Sequence, residues 1–489
     1  MNSIVLVIVG ALVLILGYRL YGCFIAAKVL ALDETRKVPS EVFEDGKDYV
    51  PTNKWVLLGH HFAAIAGAGP LIGPVLAAQF GYLPGTLWIL IGSVAAGAVH
   101  DMIMLFASVR FNGESIAEIA KHTLGKKIGF ITSISVIFIL IITMAGLGLP
   151  VVNSLYNSPW GTFTVGATIP IAIFVGIYLR YIRPGKICEA TIIGMVLILL
   201  AVIFGPQVQG TALGNFLTLN TKQLSVILVI YGFCAAALPV WLLLLPRDYL
   251  STYMKLGVIG ILVVGILIVR PQLQMPALTQ YIHGGGPVVS GKVFPFLFIT
   301  IACGALSGFH SLISTGTTPK LIKNEKDILP IGYGSMLLEA FISLMALIAA
   351  TALPTSDYFA INSLPEVFNK LNLIPKDLPM LQTLVGEQLA GRPGGSVSLA
   401  VGMTYVFHNI PGLSSIMSYW YHFCIMFEAL FILTTIDSGT RIGRYLLQDL
   451  FGKMYKPLAN KDSKFNLIFF SALMSVTWGA LLYSGNIST

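Results

Sequence analysis

The sequence predicts an all-α polytopic membrane protein of about twelve transmembrane helices. Three observations predict it. First, 56% of the 489 residues are hydrophobic and only 11% are charged, against roughly 25% charged in a soluble domain. Second, the apolar residues gather into stretches near or above the ~18 residues that a membrane-spanning helix needs. Third, the basic residues sit between those stretches. That pattern sets topology and does not make a nucleic-acid surface.

In chain order the expected spans are 3–27, 55–80, 84–109, 128–150, 165–181, 187–205, 225–245, 254–270, 294–315, 331–353, 415–436 and 465–484. The first lacks a basic leading region and an A-x-A cleavage site, so it reads as a retained span. With the N-terminus outside, 24 of the 30 basic residues fall in inner segments. A thirteenth apolar piece, 396–412, would put the basic block 441–464 outside if it crossed. It is therefore expected to be an outer re-entrant or surface helix. The outer stretch before it, from 354, is expected to be partly helical, as a lid or as packing.

After the leading span and its cytoplasmic loop (1–54), ten spans fall into two groups of five, at 55–205 and 206–436, the second carrying the outer segment 354–412. A loop and a last span follow at 437–489. Five is odd, so the second group enters from the opposite side, as in the inverted repeats of secondary transporters. The first group opens on GHHFAAIAGAGPLIGPVLAAQFG, with Gly67, Gly69, Pro70, Gly73 and Pro74 in mid-span. Proline removes a helical N–H and glycine costs ~1 kcal/mol, so this span should unwind there. The second group opens on YGFCAAALPVWLLLLPRD, with a weaker break between Gly232 and Pro239. Unwound backbone in a bilayer is tolerated where it lines a cavity. A half-helix N-terminus there suits a carboxylate, and free carbonyls suit a cation. Gly67, Ala68, Gly69 and Pro70, with Gly232, Phe233 and Ala236 opposite, are thus the candidate substrate contacts. The other reading is that these glycines let helices pack closely.

Ionisable residues in the spans cost about 2.5–3.5 kcal/mol each near the bilayer centre, so each needs a reason. Of His60 and His61, His61 lies nearer the first break and is the candidate substrate contact, with a core histidine as the alternative. His100 and Asp101, deep in the second span, are the candidates for proton coupling; a structural hydrogen bond is the alternative. Ser307, Ser311 and Thr315 recur every four residues, which puts their hydroxyls on one face of a continuous helix. Ser307 and Ser311 are candidates for substrate, and Ser311, Ser314 and Thr315 for a cation; helix packing is the alternative. His310 points away from that stripe and reads as a core histidine. Glu339 and Glu428 are lone acids, on a proton path or paired with a base. Asp437 and Arg441 are spaced for an i,i+4 ion pair.

The five cysteines, Cys23, Cys188, Cys234, Cys303 and Cys424, form no C-x-x-C pair, so neither a structural metal nor a disulfide framework is expected. There is no P-loop, H-E-x-x-H or G-x-S-x-G motif, which argues against ATP-driven transport and against an enzyme. No cofactor is expected. The partners are a small-molecule substrate and the lipid bilayer of the cell membrane.

The stretch GHHFAAIAGAGPLIGPVLAAQFGYLPGTLWILIGSVAAGAVHDMIML resembles the signature region of the carbon starvation protein A (CstA) family, and SYWYHFCIMFEALFILTTIDSGTRIGRYLLQDL resembles a second family segment. The resemblance covers much of 1–460 and implies a LeuT-like 5+5 inverted repeat with one leading and one trailing helix. It also implies uptake of pyruvate or short peptides coupled to H+. Some members of the family are longer, with additional C-terminal spans. Joined to the residues above, it leads to an alternating-access symporter. A sodium-coupled (Na+) symporter of a small carboxylate or amino acid is one alternative, and a channel-like or nutrient-sensing membrane protein is another.

Overall fold

The structure is a computed structural model that describes residues 1–44, 49–183, 186–239, 242–408, 410, 416–460 and 463–485. Among these there are helices and no strands. Eight helices are long and apolar enough to cross a membrane: Ser3–Val29, Tyr82–Arg110, Lys126–Leu155, Pro159–Ile182, Glu189–Val208, Glu325–Ala352, Met417–Lys453 and Lys464–Ser484. The pair Leu57–Ile65 and Gly69–Phe80, bent by 43°, makes a ninth if it is one span. Shorter apolar helices lie at Thr221–Ala237, Met254–Val269 and Ser396–His408. Positions 240 and 241 of the expected span 225–245, and 409, 411 and 412 of the expected segment 396–412, lie outside the described residues.

The chain forms two compact units. One joins Met1–Gly129 to Val258–Ser418, and the other joins Phe130–Gly257 to Tyr419–Thr489. Each therefore takes part of both expected groups of five.

The first unit is built around Ser335–Ala352, whose apolar residues face every direction and which is buried over nearly its whole length. It packs against Gly69–Ala77, Ser396–His408, Ser3–Leu16, Tyr82–Gly92 and Lys54–Ile65. Close approach needs small residues. A Cβ on Gly402 would meet the Ala349 carbonyl oxygen, and one on Gly10 would meet Leu344. Ser396–His408 has 13 residues, about 20 Å at 1.5 Å each, short of the ~30 Å hydrocarbon core. It is buried on nearly all sides, which removes the surface-helix alternative. The stretch before it is partly helical, at Thr355–Asn362, Pro365–Phe368 and Leu378–Val385. Asp357 ties that stretch together by accepting from the backbone N–H groups of Lys376 (2.6 Å) and Asp377 (2.8 Å). Burial pushes its carboxyl above the usual range, and those N–H groups pull it back.

At another point of this unit Glu325, itself buried, accepts from Arg36 Nη1 at 3.2 Å and Arg110 Nη2 at 3.1 Å. The loop after the first helix, the end of Tyr82–Arg110 and the start of Glu325–Ala352 are thereby joined.

In the second unit Thr221–Ala237 packs along Lys464–Ser484. Gly232 and Gly479 make room for this packing: a Cβ on Gly232 would meet Trp478, and one on Gly479 would meet Val229. Trp160 stacks on His422 with centroids 3.6 Å apart and donates its indole N–H to the Val202 carbonyl at 3.1 Å.

Candidate functional site

The first break is present and narrower than the glycine and proline count suggests. Lys54–Ile65 ends at Ala66, whose ψ of 79° leaves the helical region. Gly67 N–H turns back to the Ile65 carbonyl at 2.8 Å. A new helix starts at Gly69, with Ala68 as its N-cap and Pro70 in its first turn, where proline's missing N–H costs nothing. Gly69, Pro70, Gly73 and Pro74 are thus helical, and the unwinding is confined to Ala66–Ala68. Their glycines serve contact instead. A Cβ on Gly73 would meet the Thr300 carbonyl oxygen, and one on Gly69 would meet Cys303.

A second break in the same unit was not expected. The segment 294–315 is not one helix but two, Val293–Thr300 and Gly308–Ser314. Between them Ala302, Cys303 and Gly304 make a turn, with Leu306 N–H bonded to the Ala302 carbonyl at 2.7 Å. Gly304 fits there because a Cβ would meet Ser343 and approach Pro70 Cα at 3.6 Å. The two breaks therefore lie against each other.

This overturns the hydroxyl stripe. Ser307 is extended and precedes the short helix, and Thr315 ends it. Ser311 donates to the Gly308 carbonyl at 2.7 Å, and Thr315 to the Ser311 carbonyl at 2.7 Å. Thr315 Oγ1 also accepts from Ile116 N–H at 3.2 Å. Both hydroxyl protons are bound to their own helix, and Ser314 is buried without a hydrogen-bond partner among the described residues. A helix of seven residues has no long face on which a spacing of four could line up cation ligands.

Beside the crossing of the breaks is a buried ionisable cluster. Asp101, on Ala98–Arg110, is fully buried. Its Oδ1 is 2.9 Å from His100 Nδ1, and its Oδ2 is 2.7 Å from His310 Nδ1. His310 Nε2 faces Glu339 Oε2 at 3.1 Å and Cys303 Sγ at 3.6 Å. His310 is thus the hub of the site and not a bystander in the core. Its seven-residue helix explains why helical spacing pointed it elsewhere. Glu339 is at ion-pair distance from the imidazole. His100 is the member with appreciable exposure, 31%.

His61 lies in the helix before the first break, fully buried, with Nδ1 2.8 Å from Thr318 Oγ1 and Nε2 without a partner among the described residues. It is close enough to Asp101 and His310 to feel both charges. Cys303 Sγ, His310 Nε2 and a Glu339 oxygen lie within 4.8 Å of one another. That spacing suits a metal ion by size, but two of the three already meet at a distance that one shared proton satisfies.

The second expected break, between Gly232 and Pro239, falls at Leu238, past the candidate contacts. Gly232, Phe233 and Ala236 lie inside the helix Thr221–Ala237, which leaves helical geometry only at Leu238. Gly232 is there to pass Trp478, so the packing alternative holds for it. Gly67–Pro70 and Gly232–Ala236 belong to different units. Asp437 has Arg247 as a cation, at 3.3 Å, while Arg441 donates to the carbonyls of Ala235 (2.6 Å) and Leu238 (2.7 Å).

Comparison with known proteins identifies the family. The chain matches the family described as carbon starvation protein CstA over residues 2–489. It is 55% identical over 489 residues to the peptide transporter CstA of Bacillus subtilis (strain 168), covering 100% of this chain and 81% of that one. It is 48% identical over 504 residues to the peptide transporter CstA of Escherichia coli (strain K12), covering 99% and 72%. It is 47% identical over 521 residues to the pyruvate/proton symporter BtsT of the same organism, covering 99% and 73%. By the extent and level of this similarity, the chain belongs to the CstA family.

Proposed function

We propose that the protein is a secondary active transporter of the cell membrane that takes up pyruvate or short peptides together with protons by alternating access. The observation that carries this reading is that the break and the ionisable cluster adjoin. Gly69, at the start of the second half-helix, lies against Cys303, and Cys303 Sγ is 3.6 Å from His310. The names of the relatives supply the cargo classes, peptide and pyruvate, and one supplies the coupling ion.

In this reading the N–H groups at Ala68 and Gly69 receive the substrate carboxylate, helped by the positive end of the half-helix. His61, in the preceding half-helix, is held close by. Asp101 carries the coupling proton, with His100 as its more exposed neighbour. The physical link is electrostatic. Two unit charges about 8 Å apart at an effective dielectric of about 20 interact by about 2 kcal/mol. A substrate anion at the break and a proton on the cluster therefore strengthen each other's binding by roughly 30-fold, and the effect is reciprocal. The 5+5 inverted-repeat plan and an external N-terminus belong to the same proposal. The first break and the positive-inside balance support them.

The test is uptake into proteoliposomes of labelled pyruvate and of labelled di- and tripeptides. An inward proton gradient should drive accumulation of at least one of them. Asp101→Asn should remove the roughly 30-fold proton-dependent gain in substrate affinity. Accumulation driven by sodium alone at fixed pH, or an Asp101→Asn variant that still accumulates substrate on a proton gradient, would overturn it.

A further inference from the structure

Asp101 and Glu339 stand on different helices, and one imidazole separates them. His310 meets Asp101 through Nδ1 at 2.7 Å and Glu339 through Nε2 at 3.1 Å. All three side chains are fully buried. Asp101 is already served by two imidazoles, from His100 and His310. Glu339 meets one imidazole only through the longer contact of 3.1 Å. A carboxylate buried that way is costly as an anion and comfortable as an acid.

We propose that Glu339 is a second proton-holding site and that His310 passes the coupling proton between Asp101 and Glu339. This rests on the proton-symport reading above and adds the route. The step balances. A proton on Asp101 leaves its carboxyl oxygen and bonds to His310 Nδ1. The proton on Nε2 leaves the ring and bonds to Glu339. One O–H and one N–H bond break, one N–H and one O–H bond form, and the net charge of the three groups is unchanged. The ring ends with its proton on Nδ1, and the reverse transfer restores it. His100, the more exposed neighbour of Asp101, is where a proton from outside the cluster first arrives.

The titratable groups around His310 are Asp101 and His100 from Ala98–Arg110, Cys303 from the turn between the two short helices, Glu339 from Ser335–Ala352, and His61 from Lys54–Ile65. Cys303, at 3.6 Å from Nε2, is the weaker neighbour of the pair. The turn that carries it connects the cluster to Gly69, so a shift of the half-helix at substrate binding reaches the Nε2 side of the ring directly.

Full-length protein in proteoliposomes separates this route from a structural role. Counterflow exchange of labelled substrate needs no net proton movement, whereas accumulation on a proton gradient does. Glu339→Gln should keep exchange within about twofold and lose accumulation by about tenfold or more. Glu339→Asp should restore part of it. Difference infrared spectra between acid and alkaline pH should show the carbonyl stretch of a protonated carboxylic acid that Glu339→Gln removes. If Glu339→Gln accumulates substrate normally while Asp101→Asn does not, the route through Glu339 is wrong and the symport reading stands. If both variants accumulate normally, the symport reading itself falls. If Glu339→Gln loses exchange and accumulation together, and Glu339→Asp restores neither, Glu339 is structural and the proposal is overturned.

Discussion

The two units bury ionisable side chains of different chemistry. In the first, a histidine stands between two carboxylates beside a pair of broken helices. In the second, a seam between two helices buries the strong bases Arg247 and Lys255 beside the carboxylate of Asp437. Leu244–Val269 and the long helix Met417–Met454 meet there along a regular seam. Arg247 pairs with Asp437 at 3.3 Å, Thr434 donates to Ser251 at 3.2 Å, and Lys255 Nζ lies 4.2 Å from the centre of the Phe431 ring. Four residues forward on one helix correspond to three backward on the other, as antiparallel packing requires. Tyr231 donates to the same Asp437 oxygen and lies under the Arg247 guanidinium, 4.6 Å from ring centre to carbon. Arginine stays protonated at any working pH, while histidine and a buried carboxylate change state near neutrality. The lesson is a division of labour. The Asp101–His310–Glu339 group of the first unit holds charge that can move, and the Arg247–Asp437 seam of the second holds charge that stays put and fixes helix register.

The sharpest way to break that division is to remove the fixed charge. Arg247→Ala leaves Asp437 buried and short of its cation, which costs about 3–5 kcal/mol. The unfolding midpoint in detergent should fall by several degrees. Arg247→Met with Asp437→Leu should recover much of the loss, because an apolar pair of similar volume removes both desolvation penalties. Exchange and proton-driven accumulation should fall together, in proportion to folded protein. An Arg247→Ala variant of normal stability that transports without proton dependence would place moving charge in the second unit and end the distinction.

The next test acts on the break itself. Gly69→Ala puts a methyl group where Cys303 stands. Overpacking of this kind costs about 1–3 kcal/mol, and the strain falls on the turn that carries the cluster. The apparent substrate affinity should weaken by about tenfold. Adding Cys303→Gly, which removes the obstructing side chain, should return part of it. An unchanged affinity in Gly69→Ala would cut the link between the break and the ionisable group. The matching change in the second unit, Gly232→Ala against Trp478, acts on a packing contact and should lower stability with affinity unaltered.

These contrasts also explain what could be read from the chain alone. Spans were legible because lipid demands long apolar runs: among the described residues eight of the twelve expected spans are single helices long enough to cross, and 55–80 is the bent pair. The first break was legible because Gly67, Gly69 and Pro70 disfavour a continuous helix by local chemistry. Asp101 was legible because an acid in a span is costly. His310 was not, since its partner Asp101 is 209 residues away and its direction was judged on a helix that ends after seven residues. The signal that could have found it was composition: the run Cys303–Gly308 is rich in small residues, and Ser307 before Gly308 is a common helix start. Gly232 itself is helical, and the break expected between it and Pro239 falls at Leu238. A glycine inside an apolar run marks either a break or a close neighbour, and only the position of Trp478 decides between them.

The smallest expected effect tests whether the hydroxyls of the first unit belong with the moving charge at all. Ser311 and Thr315 each give their proton to a carbonyl of their own helix, at 2.7 Å. Such back-bonds contribute little to stability, and exposed or self-satisfied hydroxyls are removed at a cost within about 0.5–1 kcal/mol. Ser311→Ala and Thr315→Val should therefore leave proton-driven accumulation within about twofold and leave it indifferent to sodium. A sodium site would behave otherwise, because removing one oxygen ligand from a small set weakens a hard cation's binding by tenfold or more. If Ser311→Ala produced a loss of that size, and raising sodium reversed it, the hydroxyls would be ligands. The first unit would then couple transport through a bound cation, and the Asp101–His310–Glu339 group would hold fixed charge as the second unit does.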